Sequence, residues 1–266
     1  MSLTNALSDI RSQPEQRLQY GLIAAWTLAM ISLPIFKWVF GTDIIPGAVT
    51  FALLVQFAAV TVIMVTATGW RQTLTVLALV AVATWSIEFI GSSTGFPFGS
   101  YDYTDALQPQ LGHVPLLIPL AWFMMMPPAW AIAQQIAGRL TGRARLAVYV
   151  GLSAAAITAW DLFLDPQMVE WGFWEWEQTA GGYFGIPWSN YAGWLLTGIV
   201  VTLLVRPYRY KLPTVPLLTV YGVVWFLQSV GLAVFWGQPG PALVGSLAMG
   251  ALLVWAITSY RQERSP

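Results

Sequence analysis

Charge is what this chain has least of. Only 9% of its 266 residues are charged, while 57% are hydrophobic, against about 25% charged in soluble domains. So little charge cannot solvate a large water-facing surface, which excludes a soluble domain of any size. Cysteine is absent altogether, which removes disulfides, thiolate nucleophiles and cysteine-ligated metals and leaves the redox compartment undetermined. A single histidine, His113, cannot build a multi-histidine di-iron centre. No lysine falls in the middle of an apolar run, so a retinal Schiff base is excluded, and no G-x-G-x-x-G fingerprint marks a dinucleotide site. Twelve basic residues balance twelve acidic ones, and no nucleic-acid partner is expected.

Apolar sequence is abundant. Runs near the roughly 20 residues needed to cross a bilayer recur along the whole length, at about 18–39, 46–68, 72–91, 114–137, 145–165, 190–206, 213–236 and 241–260. They predict an all-α, polytopic membrane helical bundle of about eight transmembrane helices, forming one integral membrane domain over residues 1–266. The first run is too long for a signal-peptide core and lacks a small-residue cleavage pattern, so it is read as a membrane helix. Pro46, Pro115, Pro213 and Pro241 sit at or near helix starts, where a missing N–H costs little.

The few charges give an orientation. Arg11 and Arg17 precede the first run, and Arg71, Arg139, Arg143, Arg145, Arg206, Arg209, Lys211, Arg261 and Arg264 all fall on the same side. Only Lys37 falls on the other. The positive-inside rule makes the basic side cytoplasmic, with both termini and the polar segment 1–17 inside. A multi-pass protein of a prokaryotic cytoplasmic membrane is expected.

The opposite face carries two long connectors, 92–113 and 166–189, holding Asp102, Asp105, Glu170, Glu175 and Glu177 and neither Lys nor Arg. Both are rich in Gly, Pro and aromatics, and GFPFGSY in one echoes GYFGIPW in the other. Non-helical backbone near membrane depth is tolerated only where protein buries it or it lines a cavity. The two connectors are therefore expected to fold back as a cap. Trp171, Trp174 and Trp176 fit interfacial anchoring, with a substrate box as the alternative.

Within the spans the acidic residues are Glu88 and Asp161, with Asp165 one helical turn further on and a helix break expected at Pro166. Asp161 and Asp165, at i and i+4, share a helix face. Counting about 1.5 Å per residue from the cytoplasmic ends, Glu88 and Asp161 both lie roughly 25 Å across. Intramembrane ionisable residues are functional by default, and these have no intramembrane Arg or Lys to pair with. A carboxyl group in that setting is a candidate general acid. The Asp161–Asp165 spacing is half of a paired diphosphate-binding motif, but the second half is missing and the acidic face offers no cation for a phosphate. What remains is cofactor-free acid–base chemistry on an apolar substrate, or a proton-coupled transport pathway.

Three stretches carry a resemblance: EFIGSSTGFPFGSYDYTDALQPQLGHVPLLIPLAW (88–122), WDLFLDPQMVEWGFWEW (160–176) and GGYFGIPWSNYAGW (181–194). With them the chain resembles the carotenoid hydratases of the CruF type, a family of integral membrane carotenoid-biosynthesis proteins that includes the bisanhydrobacterioruberin hydratases. The resemblance implies addition of water across the terminal double bond of an acyclic carotenoid, giving a tertiary alcohol without a cofactor or metal. Set against that chemistry, the intramembrane carboxyl groups make Asp161 or Glu88 the expected general acid and Asp165 the group that orients water. Trp85, Tyr101, Tyr103, Trp160, Trp174 and Asn190 are the expected substrate contacts, although Tyr101 and Tyr103 also fit a solvated loop. The expected partners are a carotenoid drawn from the bilayer, membrane lipid and other carotenoid-pathway enzymes. A carotenoid cyclase, which begins with the same protonation, and an apolar-molecule transporter are the alternatives.

Overall fold

The computed structural model describes residues 14–177 and 181–264; Arg11, with the rest of the polar N-terminal segment up to residue 13, lies outside them. Eight described helices are long and apolar enough to cross a membrane. They are α1 (Pro14–Phe40), α2 (Ile45–Thr68), α3 (Trp70–Thr94), α4 (Leu117–Ile136), α5 (Gly142–Glu170), α6 (Trp188–Val205), α7 (Thr214–Val230, prolonged by a π-helical turn Gly231–Phe235) and α8 (Pro239–Arg264). The protein is an all-α polytopic bundle.

Helix α4 is its axis. Its sequence, LIPLAWFMMMPPAWAIAQQI, is apolar around the full circumference, and a helix with no polar face must be buried on all sides. It packs against α2, α3, α5, α7 and α8, with Phe123, Met125, Met126 and Trp130 fully enclosed. Except for α5, which is also largely enclosed, the other helices leave apolar side chains exposed toward the outside, as a lipid-facing ring requires.

The connectors lie between 95 and 116 and between 171 and 187, shifted from the expected limits because α3 and α5 run on. Helix α5 does not break at Pro166 but continues to Glu170. A proline inside a helix leaves the carbonyl four residues back without its donor, here that of Leu162. The hydroxyl of Tyr183 donates to it at 3.1 Å. The carbonyl of Pro166 in turn accepts from Gln238 Nε2 at 3.0 Å. With its orphan carbonyl served from outside, the helix carries Asp165 inside the bundle rather than at its end.

The two connectors pair with each other. β1 (Tyr101–Tyr103) runs antiparallel to β4 (Trp174–Trp176), with Tyr101 opposite Trp176, Asp102 opposite Glu175 and Tyr103 opposite Trp174. Side chains alternate across a strand, so the four aromatics turn toward the helices while Asp102 and Glu175 are exposed. A second short hairpin joins β2 (Gln110–Leu111) to β3 (Val114–Pro115). Phe98 anchors the first connector, buried between α3 and α6 where a Cβ on Gly91 or on Gly193 would fall 2.5 Å from its ring. Only glycine leaves room for it at both places.

Candidate active site

The three intramembrane carboxyl groups meet beneath the paired strands. Glu88 comes from α3, Asp161 and Asp165 from α5, and their exposures are 4%, 0% and 2%. None of their hydrogen-bond donors is a cation. Glu88 Oε2 accepts from the Tyr101 hydroxyl at 2.6 Å and the Tyr103 hydroxyl at 2.9 Å, and Oε1 accepts from Trp122 Nε1 at 3.0 Å. Asp165 accepts from Trp174 Nε1 at Oδ1 and from Asn190 Nδ2 at Oδ2, each at 2.5 Å. The same Asn190 amide donates to Asp161 Oδ2 at 2.8 Å. One amide nitrogen, with two protons to give, thus ties both aspartates together, and Asp161 Oδ1 is buried without a partner.

Glu88 and Asp165 line a chamber of about 40 Å³, walled by Tyr101, Tyr103, Trp122, Trp174, Trp176, Trp194 and Asn190 among others. Asp161 does not line it; it stands behind Asn190. The Trp122 and Trp194 rings stack at 4.2 Å, and Trp160 meets Trp194 edge-on at 6.0 Å. The chamber therefore combines two carboxyl groups with a nearly continuous aromatic wall.

Burial, and then the neighbouring Glu88 carboxyl, hold the phenols of Tyr101 and Tyr103 well above the usual 10.0. Both stay hydrogen-bond donors throughout the physiological range. Tyr183 is likewise raised, first by burial and then by Asp161.

The structure gathers most of the candidate residues read from the sequence. Glu88, Asp165, Tyr101, Tyr103, Trp174 and Asn190 meet at the chamber. Tyr101 and Tyr103 are Glu88 donors rather than solvated loop residues. Trp174 faces inward on Asp165, so the interfacial-anchor reading fails for it, and Trp176 is buried beside it. Trp160 lines a neighbouring apolar cavity instead. Trp85 is not brought to the site: its Nε1 donates to the Leu111 carbonyl at 3.3 Å and its ring stacks on Phe89, because α3 turns it toward the β2–β3 hairpin. His113 is structural, bonded to Ser92 Oγ at 2.8 Å and stacked on Phe89.

Sequence reasoning missed Trp122 and Trp194, for a tryptophan in an apolar helix carries no local mark. Trp176 did carry one. Tyr-Asp-Tyr and Trp-Glu-Trp each alternate aromatic with acidic, the period-2 signature of a strand with one buried face.

Eight described membrane-length helices with a buried, aromatic-walled carboxyl cluster under a cap define a class: polytopic membrane proteins with a polar site enclosed at one end of the bundle. The profile of the carotenoid biosynthesis protein family matches residues 48–252, and the chain belongs to that family. It is 37% identical over 131 residues to a bisanhydrobacterioruberin hydratase of Haloarcula japonica, a stretch covering 48% of this chain and 43% of that protein. The match thus spans less than half of the relative's length. No solved structure matches the chain.

Proposed function

We propose that the protein is a carotenoid hydratase, adding water to the terminal double bond of an acyclic end group. The observation that carries this reading is the pair of carboxyl groups, Glu88 and Asp165, facing one small aromatic-walled chamber. Asp165 delivers a proton to the less substituted alkene carbon, and the π bond becomes a C–H bond and a tertiary cation. The faces of Trp122, Trp174 and Trp194 stabilise that cation through their ring quadrupoles, by about 2 kcal/mol where water is excluded. Water adds to the cation, and Glu88 takes the proton it sheds. The proton returns from Glu88 to Asp165 before the next turnover, so the net change is the addition of one water.

The roles differ from those first expected. Glu88 accepts three hydrogen bonds, an arrangement suited to receiving a proton rather than giving one. Asp165 lines the chamber where Asp161 does not. Asp161 and Asn190 are positioning residues that hold Asp165.

The test is production of the protein in a bacterial host accumulating lycopene, grown in water enriched in heavy oxygen, with pigments analysed by mass spectrometry. A pigment heavier by one labelled water, lost in Asp165→Asn and in Glu88→Gln, is the expected outcome. An isomer of unchanged mass would make the protein a cyclase. No new pigment from any of several acyclic substrates, with the protein inserted, would leave transport or binding as the function.

A further inference from the structure

The carboxyl chamber is the innermost of three cavities that share walls. Ile118, Ala121, Leu164 and Trp174 line both the chamber and a cavity of about 100 Å³ beside it. That cavity shares Met30, Leu33, Gln167, Leu227 and Gln228 with a third, of about 320 Å³. The third is walled by α1 and α7 and reaches the outer surface of the bundle, where Trp38 is 68% and Phe226 57% exposed. From the surface to Glu88 and Asp165 the three adjoining cavities hold about 320, about 100 and about 40 Å³.

The walls of the outer groove follow from the helices that make it. On α1 the lining residues Met30, Pro34 and Trp38 fall four apart, one stripe of an α-helix; on α7 the lining runs from Phe226 and Leu227 into the turn Gly231–Phe235. Both helices are irregular where they face each other. Pro34 sits inside α1, and Gly231–Phe235 is a π-helical turn, a widening that recurs at functional sites. Two irregular stripes pack less closely than two regular ones. At the capped end the groove closes, with Trp38 edge-on to Phe235 at 5.8 Å and Lys37 Nζ 5.0 Å from the Trp236 ring.

We infer that an apolar polyene slides its end group sideways from the bilayer between α1 and α7, past a neck at Leu33 and Leu227, to the carboxyl chamber. This rests on the hydratase reading for its substrate. The occupant follows from placement and chemistry: three adjoining cavities in a row from the lipid-facing surface to the carboxyl groups, lined mostly by apolar side chains, fit a long apolar chain with no headgroup. At the groove mouth Ile31, Ile35 and Phe226 give a phospholipid head no polar partner, while Gln167 and Gln228 lie at the inner end and Lys37 is engaged over Trp236 at the capped end.

The absence of cysteine from the chain supplies the test. Leu227→Cys places a small thiol at the neck, and alkylation with N-ethylmaleimide after folding and insertion then fills it without burdening folding. Leu28→Cys, on the outward side of α1 at 66% exposure, is the control. Two readouts are taken in lipid nanodiscs, hydrated pigment formed and the rate of alkylation with and without lycopene. Alkylation at the neck is expected to lower product at least tenfold, and lycopene to slow that alkylation at least threefold, with neither effect in Leu28→Cys. Undiminished product from the alkylated neck variant would overturn the route, as would protection that lipid alone gives and lycopene does not increase. Lycopene protection in a protein that hydrates no acyclic carotenoid would instead sink the hydratase reading and leave the groove standing.

Discussion

Trp122 lends the site two properties from one side chain. Its indole N–H reaches Glu88 and its face stacks on Trp194. Phenylalanine keeps an aromatic face and removes the donor. A hydrogen bond to a charged group contributes about 1.5–3 kcal/mol, and about 1.4 kcal/mol is tenfold in rate. Trp122→Phe is therefore expected to lower hydrated pigment by about tenfold or more while the fold survives, and Trp122→Leu to lower it further by removing the ring. Equal pigment yields from wild type and Trp122→Phe would take the Trp122 N–H out of the mechanism, and an undiminished yield from Trp122→Leu would take its ring out too. The carboxyl groups that it serves were legible without any structure, since a charge inside an apolar run is costly and must be explained. Which side chain serves which carboxyl was not, because apart from Asn190 the donors are tryptophan and tyrosine, residues that an apolar membrane chain contains for many reasons. Trp85 illustrates the same limit: it lies three residues from Glu88, yet the hairpin claims it.

At the scale of elements, the two strands and the far end of α5 separate what a sequence displays from what it conceals. The span count was legible because length and hydropathy fix it. The end of α5 was not, because Pro166 reads as a helix stop and the residue that overrides it, Tyr183, returns from the connector that follows the helix, too far along the chain for any local pattern to show. That arrangement makes a thermodynamic prediction. Tyr183→Phe leaves the half-buried Leu162 carbonyl without a donor, which is expected to destabilise the protein by about 1 kcal/mol. In a Pro166→Ala background the new backbone N–H can serve Leu162 itself, so the same Tyr183→Phe change should cost less than half as much. Thermal unfolding of the four proteins in detergent gives the coupling energy directly. Additive effects would mean that Tyr183 does not sustain the helix through its proline.

For the whole molecule, the cap is the part of the bundle held by side chains rather than by lipid-facing packing, and its tyrosines make its stability sensitive to alkali. Tyr101, Tyr103 and Tyr183 all titrate above their usual 10.0 when folded. Once the cap opens, each phenol ionises near its ordinary value. Between that value and the folded one the open state binds fewer protons, so stability falls as pH rises. The contribution of these residues is complete below about pH 10 and is lost progressively above it. Unfolding midpoints should accordingly stay level from neutral to about pH 9 and drop steeply beyond pH 10. The double variant Tyr101→Phe and Tyr103→Phe, starting from a lower midpoint because Glu88 has lost two donors, should drop less steeply over the same interval. Parallel curves for the two proteins would show that these phenols titrate alike in the closed and open cap, and that the strand pair does not bury them against Glu88 in solution.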